Sequence, residues 1–446
     1  MKAPQAGSRD VVLAVLRDVF GPARRGAQEA LAYRLRRAQL SARDVAFVTE
    51  LAYGTIKMRR ALDWALHRYL EKRTAPLPLA IAEALRMGAY QLLYMDGVSD
   101  HAAVGETVGA ALRVGHRGTA GLVNANLRRI SAEPPSPPER EAFATEEDYL
   151  GTSFSVPTWI VQQWRERFAE RASDVLRGVD KAPQLGIRFD RNALTVEQIV
   201  DELRVRGVSA HRSPFAFDAL VADDRPQKAL HDDPRGRWVL QAEAACMPVD
   251  LLDPQPGEHI ADLCSGRGNK ALQIASRLQG TGAITCVESD GRRAHLLQQR
   301  VTAMSHGNIA IIEGDARVAR ETRSDRVLLD APCSGLGTLG RYPEARWRKA
   351  PVDGARLSTT QSALLRAAAN STKPGGRVVY SVCTTDEREC ENVVEGFLAD
   401  HPSFGREPPP ARYAPFLTAS SDVLVPPGIE GRDGFYIALL GRRNGA

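Results

Sequence analysis

The first half of this chain contains no cysteine. All six, Cys246, Cys264, Cys286, Cys333, Cys383 and Cys390, fall past the midpoint of its 446 residues. No two of them form a CxxC pair, so a structural zinc, or any metal, is not expected. A secretory signal is also missing, since the opening MKAPQAGSRD is polar. Without that context the cysteines read as free thiols and not as a disulfide framework. No apolar run reaches the roughly 18 residues that span a bilayer. Export and membrane insertion are therefore not expected, and a cytoplasmic location is. Aromatics are sparse at 6%, and no internal repeat is evident. What remains is an ordinary globular composition, 43% hydrophobic and 25% charged, long enough for roughly two to four domains.

The net charge of +5 hides an asymmetry. Residues 1–135 carry 20 Lys+Arg against 12 Asp+Glu, or +8, and the remainder 39 against 42, or −3. A basic front on a near-neutral body suits an anionic partner, nucleic acid first, although solvated arginine-rich helices give the same balance. That front, residues 1–135, places apolar residues at three- and four-residue steps and is predicted to be all helix, with Ser41 as a cap. Four prolines in SAEPPSPPERE (Ser131–Glu141) mark a linker. Residues 142–235 read as a small mixed α/β segment. From 236 to 446 short apolar strands alternate with helices, the pattern of a doubly wound parallel sheet. Strands are predicted near 259–264, 283–288, 309–313, 326–330 and 376–382, with one more in DGFYIALLGR.

The stretch EHIADLCSGRGNKALQIASRL (Glu258–Leu278) is a strand, a glycine-bearing turn and a helix. In such folds ligands sit beyond the carboxyl ends of the strands, where glycines permit close approach. Asp262 and the Cys264–Lys270 turn would line that crevice. Glu288 and Asp290 close the next strand, where a carboxylate can accept from ribose hydroxyls. Asp315, in EGDA, stands where it could accept from an adenine amino group. A dinucleotide dehydrogenase uses a similar turn, but its GxGxxG is absent here.

Two strands then end in thiols: LLDAPCSG reaches Cys333 and VVYSVC reaches Cys383. A thiolate is a strong nucleophile that can add to an electron-poor carbon and leave again. A cytosine ring is inert at C5 until something adds at C6, after which C5 can take a methyl from a sulfonium donor. The adduct must then lose its C5 proton and expel the enzyme. One thiol is needed for attack, and a second could help resolve the adduct. Asp330, three residues before Cys333, could hydrogen-bond the base edge or the cofactor.

The motifs resemble those of the Sun/Fmu (RsmB) family of RNA cytosine-C5 methyltransferases, in its bacterial ribosomal RNA branch. DAPCSGLGTLGRYPEARWR (Asp330–Arg348) is similar to the family's DAPCSxxGxxRRxPxxxW, and VVYSVCTTDERECENVV (Val378–Val394) to its YSTCSxxxxENxxxV. WVLQAEAACMPVDLLDPQPGEHIADLC and GRDGFYIALL match as well. RDVAFVTELAYGTIKMRRALDWAL and GLVNANLRRI resemble the NusB-like helical domain attached to that branch. The resemblance covers nearly the full chain. It implies an α/β fold: a C-terminal Rossmann-like class I S-adenosylmethionine methyltransferase domain, preceded by a small α/β segment and an all-α NusB-like RNA-binding domain.

By that resemblance Cys383 is the attacking nucleophile and Cys333 the thiol assisting release. Cys264, Ser265, Gly266, Arg267, Gly268, Asn269, Lys270, Glu288, Asp315 and Asp330 match the positions that contact S-adenosyl-L-methionine. The implied substrate is small-subunit (16S) ribosomal RNA, with the target nucleotide drawn out of any stack. The chain departs from the family in three places. CAAPGGK reads CSGRGNK, so that Arg267 and Asn269 restrict the turn and add bulk; Glu288 replaces an aspartate; Val382 replaces a threonine. Two alternatives stay open. In DNA cytosine methyltransferases the nucleophile follows a proline, which would nominate Cys333. A non-catalytic RNA-binding assembly factor could also keep the fold as a scaffold, with an altered cofactor turn.

Overall fold

A computed structural model of the chain describes residues 7–70, 76–224, 230–304, 307–318 and 323–444. It divides into two compact units, one running to Ala172 with the addition of Tyr342–Arg348, the other comprising Ser173–Arg341 and Lys349–Ala446.

The first unit is helical: α1 (Ser8–Phe20), α2 (Ala27–Leu35), α3 (Ala42–Lys57), α4 (Arg59–Leu70), α5 (Leu79–Tyr94), α6 (Asp100–Val114), α7 (Arg117–Ala132), α8 (Glu146–Ser153) and α9 (Thr158–Phe168). The apolar faces read from the sequence converge on one core that includes Val12, Leu16, Leu51, Leu62, Leu85 and Leu127. Ser41 caps α3 by accepting from the Asp44 amide, leaving one fewer unpaired donor at that end.

The segment Tyr342–Arg348, the end of the stretch that resembles a family motif, is built into this unit as a set of helix caps. Gly26 offers α2 no capping side chain, and Glu344 accepts from the Ala27 amide at 2.9 Å in its place. Trp347 donates its indole N–H to Ile56 O at 2.6 Å, in the last turn of α3. Arg348 donates to Val19 O at 2.7 Å, in the last turn of α1. A carboxylate on a helix start, and an indole N–H and a guanidinium on helix ends, complement the unpaired groups there. These motif residues are thus explained by packing.

The second unit carries α10 (Ala172–Asp180), β1 (Gly186–Phe189), α11 (Val196–Val205), β2 (Ala210–Arg212), β3 (Ala219–Ala222) and β4 (Trp238–Leu240). The four strands form an antiparallel sheet in the order β2-β3-β1-β4, over a core of Ile187, Phe189, Ile199, Leu203, Leu220 and Trp238. The strand in RWVLQ therefore belongs to this small sheet, pairing Ile187 with Leu240, and not to the doubly wound sheet.

That larger sheet follows, built from α12 (Glu243–Leu252), β5 (His259–Asp262), α13 (Asn269–Leu278), β6 (Ala283–Glu288), α14 (Gly291–Ala303), β7 (Ile309–Glu313), β8 (Ser324–Asp330), α15 (Val352–Ser371), β9 (Thr372–Val382), α16 (Glu391–Asp400), β10 (Phe404–Arg406), β11 (Val423–Val425) and β12 (Phe435–Arg442). Its order is β10-β12-β9-β8-β5-β6-β7, with β11 on β12. Strands β5 to β9 pair in parallel and β12 runs against β9. The expected Rossmann-like architecture is present, with two apolar layers around it. No described helix is long and apolar enough to cross a membrane.

Candidate active site

Strand order reverses at β5: β6 and β7 extend one way, β8 and β9 the other. Such a switch point opens a crevice at the carboxyl ends of the strands. Asp262, Glu288 and Asp330 close β5, β6 and β8, Asp315 lies two residues past β7, and Cys383 follows β9. All of them line a single cavity of about 610 Å³, a size suited to a nucleotide-like ligand. Of the residues nominated from the sequence, every one but Gly268 and Asp290 lines this cavity, including Cys264, Ser265, Gly266, Arg267, Asn269, Lys270 and Cys333.

Gly268 shapes the turn from behind. Its φ is +85°, and a Cβ there would meet Leu297 Cδ1 at 2.2 Å, so a side chain is excluded on both counts. The Gly266 N–H donates to Glu288 Oε2 at 2.8 Å, tying the turn to the β6 carboxylate. Arg267 and Asn269, expected to add bulk, line the cavity and are both exposed. Arg300 on α14 gathers them, donating to Arg267 O at 2.7 Å and to Asn269 Oδ1 at 2.6 Å.

Each carboxylate has its own setting. Glu288 is buried, accepts from the Asp290 amide at 2.8 Å and pairs with Arg293 at 3.2 Å. Asp290 is instead the cap of α14. Asp315 is gripped by Arg317 at 3.0 Å, which holds its carboxyl below the usual range. Asp330 accepts from Lys270 Nζ at 2.5 Å and from Ser381 Oγ at 2.8 Å. Burial presses the Lys270 ammonium down, but Asp330, with Cys383 and Asp262 behind it, draws it up and the net shift is upward. Asp262 is buried, and among the described residues neither of its carboxylate oxygens has a hydrogen-bond partner. Burial first, then repulsion from Asp330, pushes it up to about 7.

A carboxyl group raised in the folded state favours the protonated fold, so its stabilising contribution is present below the unfolded value of about 3.9 and lost as pH climbs through the folded value. Wild-type stability is therefore expected to decline between about pH 4 and pH 7 from this group. Asp262→Asn, a neutral mimic of the acid, should flatten that decline. Chemical denaturation at a series of pH values, comparing the two proteins, checks it; parallel curves would remove Asp262 as the cause.

The two thiols face each other. Cys333 Sγ and Cys383 Sγ are 3.3 Å apart. The hydrogen bond to Cys383 and burial hold the Cys333 thiol well above its ordinary value. Val382, where the family has threonine, is fully buried in the apolar layer, so the lost hydroxyl leaves no unpaired group. Among the described residues no cluster of His, Cys, Asp or Glu could hold a metal ion.

Sequence reasoning missed several residues here. Ser381 stood in the quoted YSVC and could have been found as a neighbour of the strand end. Arg293 and Arg317 each lie within a turn of a nominated residue and Arg300 farther along α14, but arginines are too common for position alone to mark them. Gln361, fully buried on α15, donates to Pro332 O and to Glu389 Oε2, both at 2.9 Å. No local pattern in α15 announces it.

Comparison with known proteins agrees with this geometry. Residues 249–441 match the family model of the 16S rRNA methyltransferase RsmB/F, residues 7–132 that of the NusB family, and residues 156–226 the RsmF/B-like ferredoxin-like domain. The chain is 34% identical over 436 residues to Ribosomal RNA small subunit methyltransferase B of Thermus thermophilus, covering 98% of each. It is 30% identical over 417 residues to the probable enzyme of that name in Bacillus subtilis, covering 91% of this chain and 92% of that one. The chain belongs to the RsmB/F family. Every nominated site residue falls inside the RsmB/F match. The crystal structure of PH0851 is similar over 99% of both chains, with a TM-score of 0.83 at 26% identity. NSun6 from Pyrococcus horikoshii with SFG shares the fold over 64% of this chain and 98% of its own, with a TM-score of 0.57 at 18% identity.

Proposed function

We propose that this RsmB/F-family methyltransferase moves a methyl group from S-adenosyl-L-methionine to C5 of a cytosine in 16S ribosomal RNA, through a covalent bond between Cys383 and C6. The observation that carries the reading is the 3.3 Å separation of two thiols on the wall of a cavity ringed by carboxylates. A thiol pair of this kind has no role in hydride transfer or in passive binding.

The donor fits the cavity chemically. Its sulfonium and ammonium are cations and its ribose and adenine offer hydrogen-bond donors, matched by Asp262, Glu288, Asp315 and Asp330. Asp262 supplies two buried oxygens without a partner, which a donor-rich ligand would satisfy. Cys264 to Lys270 would cradle the molecule, Glu288 the ribose and Asp315 the adenine. When bound, S-adenosyl-L-methionine supplies the electrophilic methyl group.

The chain's own residues order the remaining steps. Cys383, as thiolate, forms the S–C6 bond, and the ring electrons it displaces make C5 nucleophilic. Lys270 and Asp330 form a charged pair on the same wall, an acceptor for the cytosine amino group beside a cation for the charge that builds on the ring. Cys333 keeps its proton while Cys383 lies against it with a free sulfur, because that neighbour's hydrogen bond, then burial, then that neighbour's charge hold its thiol high. Once Cys383 is a thioether, both influences are gone and Cys333 is easier to ionise. It can then serve as base for loss of the C5 proton, while the C6–S bond breaks and Cys383 leaves as thiolate.

For the domains, residues 1–135 are proposed to hold RNA, 142–235 to frame the strand and 236–446 to perform the chemistry in the cytoplasm. Residues 24–43 contain six arginines against one glutamate, a +5 excess well suited to phosphates. Bisulfite sequencing of small-subunit ribosomal RNA from cells with and without the gene tests the whole reading. One cytosine should lose its protection when the gene is removed; an unchanged profile would count against it.

A further inference from the structure

Two loops carry the reacting sulfurs, 331–335 after β8 and 383–390 after β9, and behind them lies a closed polar network. Glu389 Oε2 accepts from the Ser334 N–H and from Gln361 Nε2, both at 2.9 Å. Ser334 Oγ and Thr384 Oγ1 are 2.7 Å apart. Gln361 sends its other N–H to Pro332 O at 2.9 Å, and Glu389 O accepts from the Tyr380 hydroxyl at 2.6 Å. Glu389, Gln361, Thr384 and Tyr380 are all fully buried. Glu389 therefore touches both loops, through Ser334, one residue past Cys333, and through its own place in the Cys383 loop.

Two atoms in this network stand out. Glu389 Oε1 and Gln361 Oε1 are both buried and, among the described residues, both lack a hydrogen-bond partner. They belong to two side chains already joined through their other ends. Two orphaned acceptors on a joined pair are costly as they stand. A single proton on Glu389 Oε1 resolves both, since a carboxylic acid and a primary amide can pair reciprocally, the amide donating to the acid carbonyl and the acid hydroxyl to the amide carbonyl. Removal of a carboxylate from water favours the same form, and burial does raise this group.

We propose that Glu389 holds a proton and, as an acid–amide pair with Gln361, is the positioning residue that fixes Cys333 opposite Cys383. It touches neither substrate nor donor; it acts through the two loops. The proposal rests on the thiol-adduct reading and deepens it.

The test uses the full-length enzyme with ribosomal RNA and S-adenosyl-L-methionine, following methyl transfer and the protein–RNA adduct together. Glu389→Gln keeps every bond of the pair, because its amide can accept as the acid carbonyl does and donate to Gln361 Oε1. Its turnover should stay within about twofold of wild type. Glu389→Ala frees the loops. Its turnover should fall by about a hundredfold, the order expected for misplacing reacting groups, with KM for S-adenosyl-L-methionine little changed and adduct accumulating. Should Glu389→Ala fail to fold, Gln361→Leu breaks the same pair and carries the same expectation. A loss in Glu389→Gln as large as in Glu389→Ala overturns the protonated pair. Wild-type turnover in Glu389→Ala or Gln361→Leu overturns the positioning role. If wild-type enzyme and Cys333→Ala form no adduct at all, it is the underlying reaction that fails, and that result is distinct from the others.

Discussion

Replacing Cys333 by alanine should trap the enzyme on its RNA, and replacing Cys383 should prevent any bond from forming. Cys383→Ala removes the atom that makes C5 reactive, so methyl transfer should drop by about 10⁴-fold or more and no adduct should appear. Cys333→Ala leaves attack and methylation intact but removes the base placed 3.3 Å from the departing sulfur. A denaturation-resistant protein–RNA species should therefore build up in gels, dependent on S-adenosyl-L-methionine. The asymmetry has a physical origin, because the thiol held high in the free enzyme is Cys333, and the partner that holds it is consumed in the first step. Trapping by Cys383→Ala, with none by Cys333→Ala, would reverse the roles and align the chain with the DNA enzymes, whose nucleophile follows a proline. Absence of adduct in both, with no binding of S-adenosyl-L-methionine in a calorimetric titration, would favour a scaffold without catalysis.

The large sheet was legible because its signals are local. Short apolar runs end in Asp262, Glu288, Asp330 and Cys383, and each predicted strand lies within a few residues of the observed one. The small sheet was only half visible. Its β2 is three residues of mixed polarity, Ala210–Arg212, and β4 is three residues that give no sign of which sheet they join; pairing with β1 decides it. The join between α3 and α4 at Met58 was equally hidden, since neither glycine nor proline marks it. Long-range contacts account for it: Arg59 reaches Glu83 at 2.7 Å, and Arg60 reaches Val156 O at 2.9 Å and Asp148 Oδ1 at 3.1 Å. At the site, motif residues that face the cavity were found and those that stand behind it were not. Gln361 comes to Glu389 from a helix 28 residues away, a proximity that only the folded chain creates. The motif's Glu344, Trp347 and Arg348 cap helices, a role that no local pattern announced.

Lys270→Met should be the most damaging change that spares both thiols. Methionine keeps the stem and fills the same space, so what is lost is the ammonium 2.5 Å from Asp330 Oδ2. Two consequences follow. Among the described residues Asp330 then keeps Ser381 as a hydrogen-bond donor, beside a second carboxyl, Asp262, that already repels it. Lys270 is also among the groups that draw Asp262 down, so its loss should push that acid higher still and move the pH-dependent decline in stability to higher pH. The cost to folding should be about 1–3 kcal/mol, below the range for fully buried pairs, because Asp330 keeps 29% of its side chain exposed. The cost to catalysis should be larger in relative terms. The cation proposed to face the ring is gone, and removing one preorganised charge donor from a sequestered site lowers kcat by about 10²–10³-fold. Thermal unfolding and single-turnover methylation separate the two effects. Lys270→Arg should recover stability better than rate, since a guanidinium can pair with Asp330 but cannot occupy the same point beside the ring. Full activity in Lys270→Met would show that the charged pair orders the pocket without acting on the base.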